Sequence, residues 1–336
     1  MAQKRLGTQT IKLSSPPSII SAYSIVGPKE GEGPLGKYFD TIIEDEFWGE
    51  QTWEKSETKI ARECVANCIS KVKLSYDDVN YILAGDLINQ CTPSAFGNRD
   101  TNIPFLGLFG ACSTFVEGIS IGSMLIDGGF ADNLVCATSS HFCSAEKQFR
   151  FPLELGNQRP PSSQWTVTGS GSVMLSSNGT GPYITTVTTG KMVDMGIKDA
   201  NNMGAAMAPA AADTMYMHFK ETGRAPSYYD LILTGDLGYI GKSIVVDLME
   251  SRGYNIRSNY NDCGILIFDK EKQDTHSGGS GCACCATTFC GYIYNQLQAK
   301  KLKRVLLIAT GALMSPTTAQ QKESIPGIAH AISIEV

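Results

Sequence analysis

Two short stretches, Tyr81-Ile-Leu-Ala-Gly-Asp-Leu87 and Leu231-Ile-Leu-Thr-Gly-Asp-Leu237, agree at five of seven positions and lie 150 residues apart. Both are apolar runs of strand length that end in a turn signal. Each follows a segment with a helical pattern, 54–73 in the first case and 205–221 in the second. A long-period repeat of this kind indicates a duplicated structural unit.

Further matches follow in the same order. Cys112-Ser-Thr-Phe115 corresponds to Ala286-Thr-Thr-Phe289, and each begins a predicted helix after a glycine-rich loop. The predicted strands that follow cover 133–138 and 171–176 in the first half, and 304–310 and 330–336 in the second. Strands alternating with helices predict an α/β fold of helix-covered sheets. We place the boundary in the turn at 176–182, which gives two halves, 1–178 and 179–336.

Composition narrows the class of protein. The 336 residues include 28 basic and 33 acidic side chains, a net charge of −5 that argues against a nucleic-acid partner. No apolar run reaches the ~20 residues that span a bilayer, and the N-terminus lacks the apolar core of a signal peptide. We therefore expect a cytosolic chain, in which eleven cysteines do not predict a disulfide framework.

The cysteines also predict no metal site. Cys64 and Cys68 are one helical turn apart among apolar residues, a spacing typical of core positions. The cluster of Cys282, Cys284 and Cys285 lacks the paired spacing of a zinc site, so packing is again the preferred interpretation.

Cys112 is the first candidate for chemistry. In Gly107-Leu-Phe-Gly-Ala-Cys-Ser-Thr-Phe115 it stands at the start of a predicted helix, where the helix dipole and unpaired amides favour a thiolate and could hold an oxyanion. A buried cysteine between sheet and helix is the alternative interpretation, and spacing does not decide between the two.

Two of the four histidines lie at informative places. His141 follows a predicted strand, at the sheet edge where ligands collect in layered α/β folds. His276 lies in the loop Thr275-His-Ser-Gly-Gly-Ser-Gly281, which enters the helix that duplicates the one after Cys112. If a pseudo-twofold axis relates the halves, His276 approaches Cys112 from the opposite half. A solvated loop histidine is the alternative; we prefer a functional role for His276.

Longer strings of residues carry a family resemblance. They are 107–115, Ala137-Thr-Ser-Ser-His-Phe-Cys-Ser-Ala-Glu-Lys-Gln-Phe-Arg-Phe-Pro152, Gln164-Trp-Thr-Val-Thr-Gly-Ser-Gly171 and Leu233-Thr-Gly-Asp-Leu-Gly-Tyr-Ile-Gly-Lys242. The chain resembles the thiolase and ketoacyl synthase superfamily, and within it the stage V sporulation protein AD family of endospore-forming bacteria. This resemblance implies a thiolase-like, five-layered α-β-α-β-α fold built from two duplicated halves.

The resemblance also implies a function. The family binds dipicolinic acid for a complex of the spore inner membrane, which moves this ligand with calcium into the developing spore and out at germination. The expected partners are therefore dipicolinic acid, other subunits of that complex on the cytoplasmic side and, as is usual in the superfamily, a second copy paired through sheet edges. No cofactor is required, and calcium enters only as part of the ligand.

Departures from the condensing enzymes suggest that catalysis is lost. Gly235-Asp236 stands where those enzymes usually carry a histidine, and Thr310-Gly311-Ala312 stands where thiolases carry a second cysteine. A carboxylate at Asp236 would oppose the enolate that such enzymes stabilise. We therefore expect no enzyme activity, with Cys112 as a vestigial nucleophile. An active acyl transferase that uses Cys112 is the alternative.

The shape and charge of dipicolinate, a planar dicarboxylate, predict which residues contact it. Amides at the helix start, around Cys112, Ser113 and Thr114, and imidazole groups of His141 and His276 would meet its carboxylates. Asp236 would face calcium if the ligand arrives as a chelate. Arg150 is a candidate cationic contact, with a solvated surface charge as the alternative.

Overall fold

The computed structural model describes residues 3–149 and 159–336 of the chain. In the first half the elements are β1 (Thr10–Lys12), β2 (Ser18–Val26), α1 (Pro28–Gly31), β3 (Thr41–Ile42), α2 (Trp53–Ser70), β4 (Tyr81–Gly85), α3 (Thr92–Asn98), β5 (Phe105–Gly107), α4 (Thr114–Asp127), β6 (Asn133–Ser140), α5 (Phe142–Phe149), β7 (Trp165–Thr166) and β8 (Gly169–Ser176). In the second half they are β9 (Tyr183–Thr188), α6 (Met203–Thr222), β10 (Leu231–Thr234), α7 (Gly238–Ser251), β11 (Tyr260–Asp262), α8 (Cys263–Leu266), β12 (Gly279–Ser280), α9 (Cys282–Thr288), α10 (Tyr294–Gln298), β13 (Arg304–Ala312), α11 (Pro316–Gln320) and β14 (Gly327–Glu335).

The two halves order their main strands in the same way. The sheet runs β5-β4-β6-β8-β2 in the first half and β11-β10-β13-β14-β9 in the second, and each half reads 3-2-4-5-1 when its five strands are numbered along the chain. The directions also agree, since the first two pairings of each half are parallel and the last two antiparallel. Ser18 and Tyr183 join the halves through β2 and β9. The repeat in the sequence therefore corresponds to a repeat in topology.

Helices cover both halves of this sheet and fill the space between them. α2 and α3 pack against the first sheet, and α6 packs against the second with α7 beside it. α4 and α9 contact strands of both halves and so form the central layer. Phe115 of α4 and Phe289 at the end of α9 are fully buried there, with ring centroids 5.9 Å apart. The five-layered α/β fold expected from the sequence is confirmed.

Several residues interpreted as structural are part of the core. Cys64 and Cys68 are buried on α2, and Cys282, Cys284 and Cys285 are buried on α9. The cysteines are all free thiols. Among residues 3–149 and 159–336, no group of three His, Cys, Asp or Glu side chains is placed to hold a metal ion. In the same ranges, no helix has the length and apolar character needed to cross a membrane.

Candidate functional site

A narrow cavity lies where the two halves meet, with Cys112 in its wall. About 520 Å³ between its walls, the open mouth included, is free of protein atoms. Most of the wall is apolar, and four side chains are polar or reactive: Cys112, Glu146, Thr166 and Ser280. The remaining lining residues are Leu87, Phe109, Ala111, Ala145, Phe149, Met203, Ala312 and Met314.

The turn before α4 holds Cys112 at this wall. Ala111 has φ +50°, a left-handed conformation that is uncommon for a residue with a Cβ. The Ser113 amide donates to the Gly110 carbonyl (3.1 Å), and the Thr114 amide donates to the Ala111 carbonyl (3.2 Å). The Ser113 hydroxyl also donates to Gly110, at 2.6 Å. The amides of Ser113 and Thr114, which the sequence offered to an anionic ligand, are therefore engaged within the turn.

Asp236 lies beneath Cys112 rather than in the cavity wall. It follows β10 and is 1% exposed. Its Oδ1 accepts from the Thr310 hydroxyl (2.7 Å), and its Oδ2 accepts from the Ser280 hydroxyl (3.2 Å) and the Gly281 amide (3.0 Å). The Cys112 thiol lies close enough to this carboxylate for each group to shift the pKa of the other. The predicted contact between Asp236 and a ligand is corrected accordingly, because its oxygens are engaged by the protein.

Burial and this carboxylate together keep the Cys112 thiol protonated. Burial raises the pKa of Cys112 well above its ordinary value, and the negative charge of Asp236 and the hydrogen bond to it raise it further. Burial also raises the pKa of Asp236, against the opposing effect of the hydrogen bonds from Thr310, Cys112, Gly281 and Ser280. The surroundings of Cys112 are thus the opposite of those that activate a thiolate.

The two candidate histidines lie outside the cavity wall. Nε2 of His141 is 2.8 Å from the Glu46 carbonyl, and its Nδ1 accepts from the Cys143 amide at 3.2 Å. Burial lowers the pKa of His141, so the ring is neutral and serves the local fold. His276 instead pairs with Asp274, 3.0 Å from Nε2 to Oδ1. Ser280, from the same loop, is the residue that reaches the cavity beside Cys112.

Arg150, which the sequence predicted as a contact, and Glu146, which it did not, remain to be placed. Arg150 lies outside the described residues. Glu146, which the sequence reasoning did not single out, is 5% exposed and lines the cavity from α5. It lies within the string 137–152 that carries the family resemblance, and its helical spacing from Phe149 and Phe142 was the available signal.

The sequence of this chain matches a known protein family. The sequence model of the stage V sporulation protein AD family matches residues 7–335. The chain belongs to this family. A curated family member, stage V sporulation protein AD of Bacillus subtilis (strain 168), is 46% identical over 332 residues, which cover 99% of this chain and 98% of that protein.

Solved structures support the thiolase-like fold of this family member. A 3-oxoacyl-[acyl-carrier-protein] synthase III from Aquifex aeolicus VF5 superposes with a TM-score of 0.56 at 12% identity, over 95% of this chain and 100% of that one. An OleA variant from Xanthomonas campestris superposes with a TM-score of 0.61 at 11% identity, over 96% and 98%. At these identities the likeness concerns the fold alone.

Proposed function

We propose that this chain is a non-catalytic, dipicolinate-binding subunit of a spore membrane transport complex, acting in uptake during sporulation and in release at germination. Membership of the stage V sporulation protein AD family supports a role in sporulation. The observation that carries the non-catalytic part is the Cys112–Asp236 contact, which disfavours the thiolate that acyl transfer requires. The proposal places the chain on the cytoplasmic face of the spore inner membrane, held there by other subunits of the complex.

The chemistry of the cavity favours the calcium complex of the ligand. Dipicolinate is a flat pyridine ring with two carboxylates, and the apolar walls formed by Leu87, Phe149 and Met314 suit such a ring. Glu146 adds a carboxylate to the wall, and carboxylate oxygens are ligands that calcium prefers. In the complex the two ligand carboxylates are neutralised by calcium, so Glu146 meets the metal rather than a bare dianion.

Calorimetric titration tests the binding. We expect saturable binding of dipicolinate in the presence of calcium and none of picolinate, which lacks the second carboxylate. Glu146→Gln removes the charge with little change in shape and is expected to weaken binding of the calcium complex roughly tenfold.

Glu63→Gln, at a partly exposed carboxylate on α2 that pairs with Arg62, is the control. The proposal is rejected if the wild-type chain shows neither heat nor thermal stabilisation at millimolar ligand. If Glu146→Gln and the control bind equally well, the ligand does not lie against Glu146.

We also propose that the chain forms a homodimer through β5. This strand is at an end of the sheet, and all three of its residues are exposed. Phe96 and Phe109 extend the apolar patch, at 55% and 51% exposure. An exposed apolar edge strand is a template for pairing with another chain. Phe109 also lines the cavity, so a second copy seated here would lie next to its mouth.

Sedimentation equilibrium measures the dimer directly. Wild-type protein is expected at twice the mass of one chain, and Leu106→Lys at the mass of a single chain, because a buried unpaired charge opposes association. Met192→Lys changes a more exposed apolar residue elsewhere, on the loop after β9 (69% exposed, against 41% for Leu106), and should leave the dimer intact. A monomeric wild-type protein at micromolar concentration would contradict the proposal.

A further inference from the structure

A second polar cluster lies beside the cavity, around the indole ring of Trp165. Nζ of Lys29 is 3.9 Å from the ring centroid, and the guanidinium carbon of Arg159 is 4.7 Å from it. Phe142 stacks on the ring at 3.7 Å between centroids with an interplanar angle of 6°, so it covers the opposite face. The indole thus holds two cations side by side through cation–π contacts.

The protein balances these two cations incompletely. Arg159 donates through Nη2 to the carbonyl and the carboxylate of Asp274, both at 2.8 Å. Its Nη1 is buried and has no hydrogen-bond partner among residues 3–149 and 159–336. Asp274 is shared with His276 and is 76% exposed at its side chain. A buried guanidinium nitrogen without an acceptor is costly, and an anion would remove that cost.

Nearby carboxyl groups supply only part of the opposing charge. Asp274, Glu30 and Glu32 raise the pKa of Lys29, but by less than burial and Arg159 together lower it. Burial raises the pKa of Glu30 to about 8, so this side chain is mostly protonated at neutral pH. Burial likewise raises the pKa of Glu46. Burial lowers the pKa of Lys29, and the positive charge of Arg159 lowers it further. A ligand carboxylate between Lys29 and Arg159 would raise the pKa of Lys29 and so stabilise its ammonium form.

The cluster adjoins the cavity along three elements. On α5, Phe142 stacks on Trp165 while Ala145 and Glu146, one turn later, line the cavity. On β7, Trp165 belongs to the cluster and the next residue, Thr166, belongs to the cavity wall. The loop that carries Asp274 and His276 continues into Ser280, another wall residue. The two sites therefore share α5, β7 and the loop before β12.

We propose that Lys29 and Arg159 form a binding site for the metal-free dicarboxylate, with one carboxylate held between the ammonium group of Lys29 and the guanidinium group of Arg159. This inference rests on the proposed function and assigns the two chemical forms of the ligand to neighbouring sites. The bare dianion meets cations at Lys29 and Arg159, where the guanidinium fork suits a planar carboxylate. The calcium complex meets the carboxylate of Glu146 in the cavity. His276, predicted from the sequence to contact a ligand, belongs to the first of these sites through Asp274.

The test measures affinity for both forms of the ligand in the double variant Lys29→Gln/Arg159→Gln. Dipicolinate is titrated in buffer freed of metal by a chelating resin, because a soluble carboxylate chelator would compete, and again with excess calcium. We expect binding of the metal-free ligand to weaken roughly tenfold or more, and binding of the calcium complex to change less than about twofold. Lys300→Gln/Lys301→Gln removes the same charge from an exposed turn and is the control for long-range electrostatics.

Each outcome decides a different statement. If wild-type protein binds neither form, the proposed function fails and this inference fails with it. If wild-type protein binds the metal-free ligand and the double variant binds it equally well, this inference alone is wrong. The inference is also wrong if the double variant binds both forms of the ligand equally more weakly. It is wrong as well if the lysine control loses as much affinity for the metal-free ligand. Arg159→Lys, which keeps the charge without the fork, should fall between wild type and the double variant. Tighter binding of pyrophosphate than of dipicolinate would replace carboxylate by phosphate as the ligand class.

Discussion

Asp236→Asn is expected to accelerate alkylation of Cys112 by iodoacetamide at pH 8 on the order of a hundredfold. Burial raises the pKa of Cys112, and the negative charge of Asp236, which repels the thiolate, raises it further. Removing a charge at hydrogen-bonding distance shifts a pKa by about 1–3 units, here downward, because the thiolate loses a like charge. More of the nucleophilic thiolate is then present at any pH below the pKa of Cys112.

Mass spectrometry of the peptide that contains Cys112 measures this rate. Cys143, which is half-buried on α5, provides an internal control, because its alkylation should be the same in both proteins. An unchanged rate at Cys112 would show that burial alone controls the thiol. The same experiment with an acyl-CoA separates binding from catalysis. We expect no mass shift in the wild-type protein, and an acyl adduct that is lost in Cys112→Ser would instead establish the acyl transferase alternative.

Phe289→Ala is expected to lower the free energy of unfolding by about 3–5 kcal/mol. Phe289 is fully buried in the central layer, and its ring packs against that of Phe115 at 5.9 Å between centroids. The substitution leaves a cavity between two sheets whose strands hold the surrounding side chains in place, so the gap collapses only in part. Urea denaturation measures the difference.

Phe130→Ala is the matched control, because this side chain is 70% exposed and its loss should change stability by less than about 0.5 kcal/mol. Phe115→Ala should resemble Phe289→Ala, and the double variant should show a coupling of about 0.5–1.5 kcal/mol for the aromatic pair. A loss below about 1 kcal/mol for Phe289→Ala would contradict close packing of the two halves around these rings.

The fold could be predicted because its signals are local and repeated. The matching runs at 81–87 and 231–237 became β4 and β10, which occupy the same place in the two sheets. Phe115 and Phe289, aligned by the repeat, meet in the central layer. Apolar periodicity and turn residues report which face is buried, and a duplication doubles that information. We used the same turn signals to place the boundary between the halves at 176–182, between β8 and β9.

The site could be predicted only in outline. The glycine-rich loop before a predicted helix pointed to Cys112, and the resemblance to condensing enzymes placed Asp236 in the same site. The sequence contained no sign that Asp236 is engaged by Thr310, Ser280, Gly281 and the Cys112 thiol. These donors come from three separate places in the chain, so their convergence depends on how the elements pack.

The sequence by itself determined the duplication, the layered architecture, the core cysteines and the family, because each depends on residue patterns along the chain. Only the tertiary structure decided which side chains face the cavity. It paired His276 with Asp274, used both ring nitrogens of His141 in local hydrogen bonds, and brought Glu146 to the cavity wall. The physical reason is that burial and hydrogen-bond partners set the protonation and reach of a side chain, and most of the decisive partners are distant in sequence.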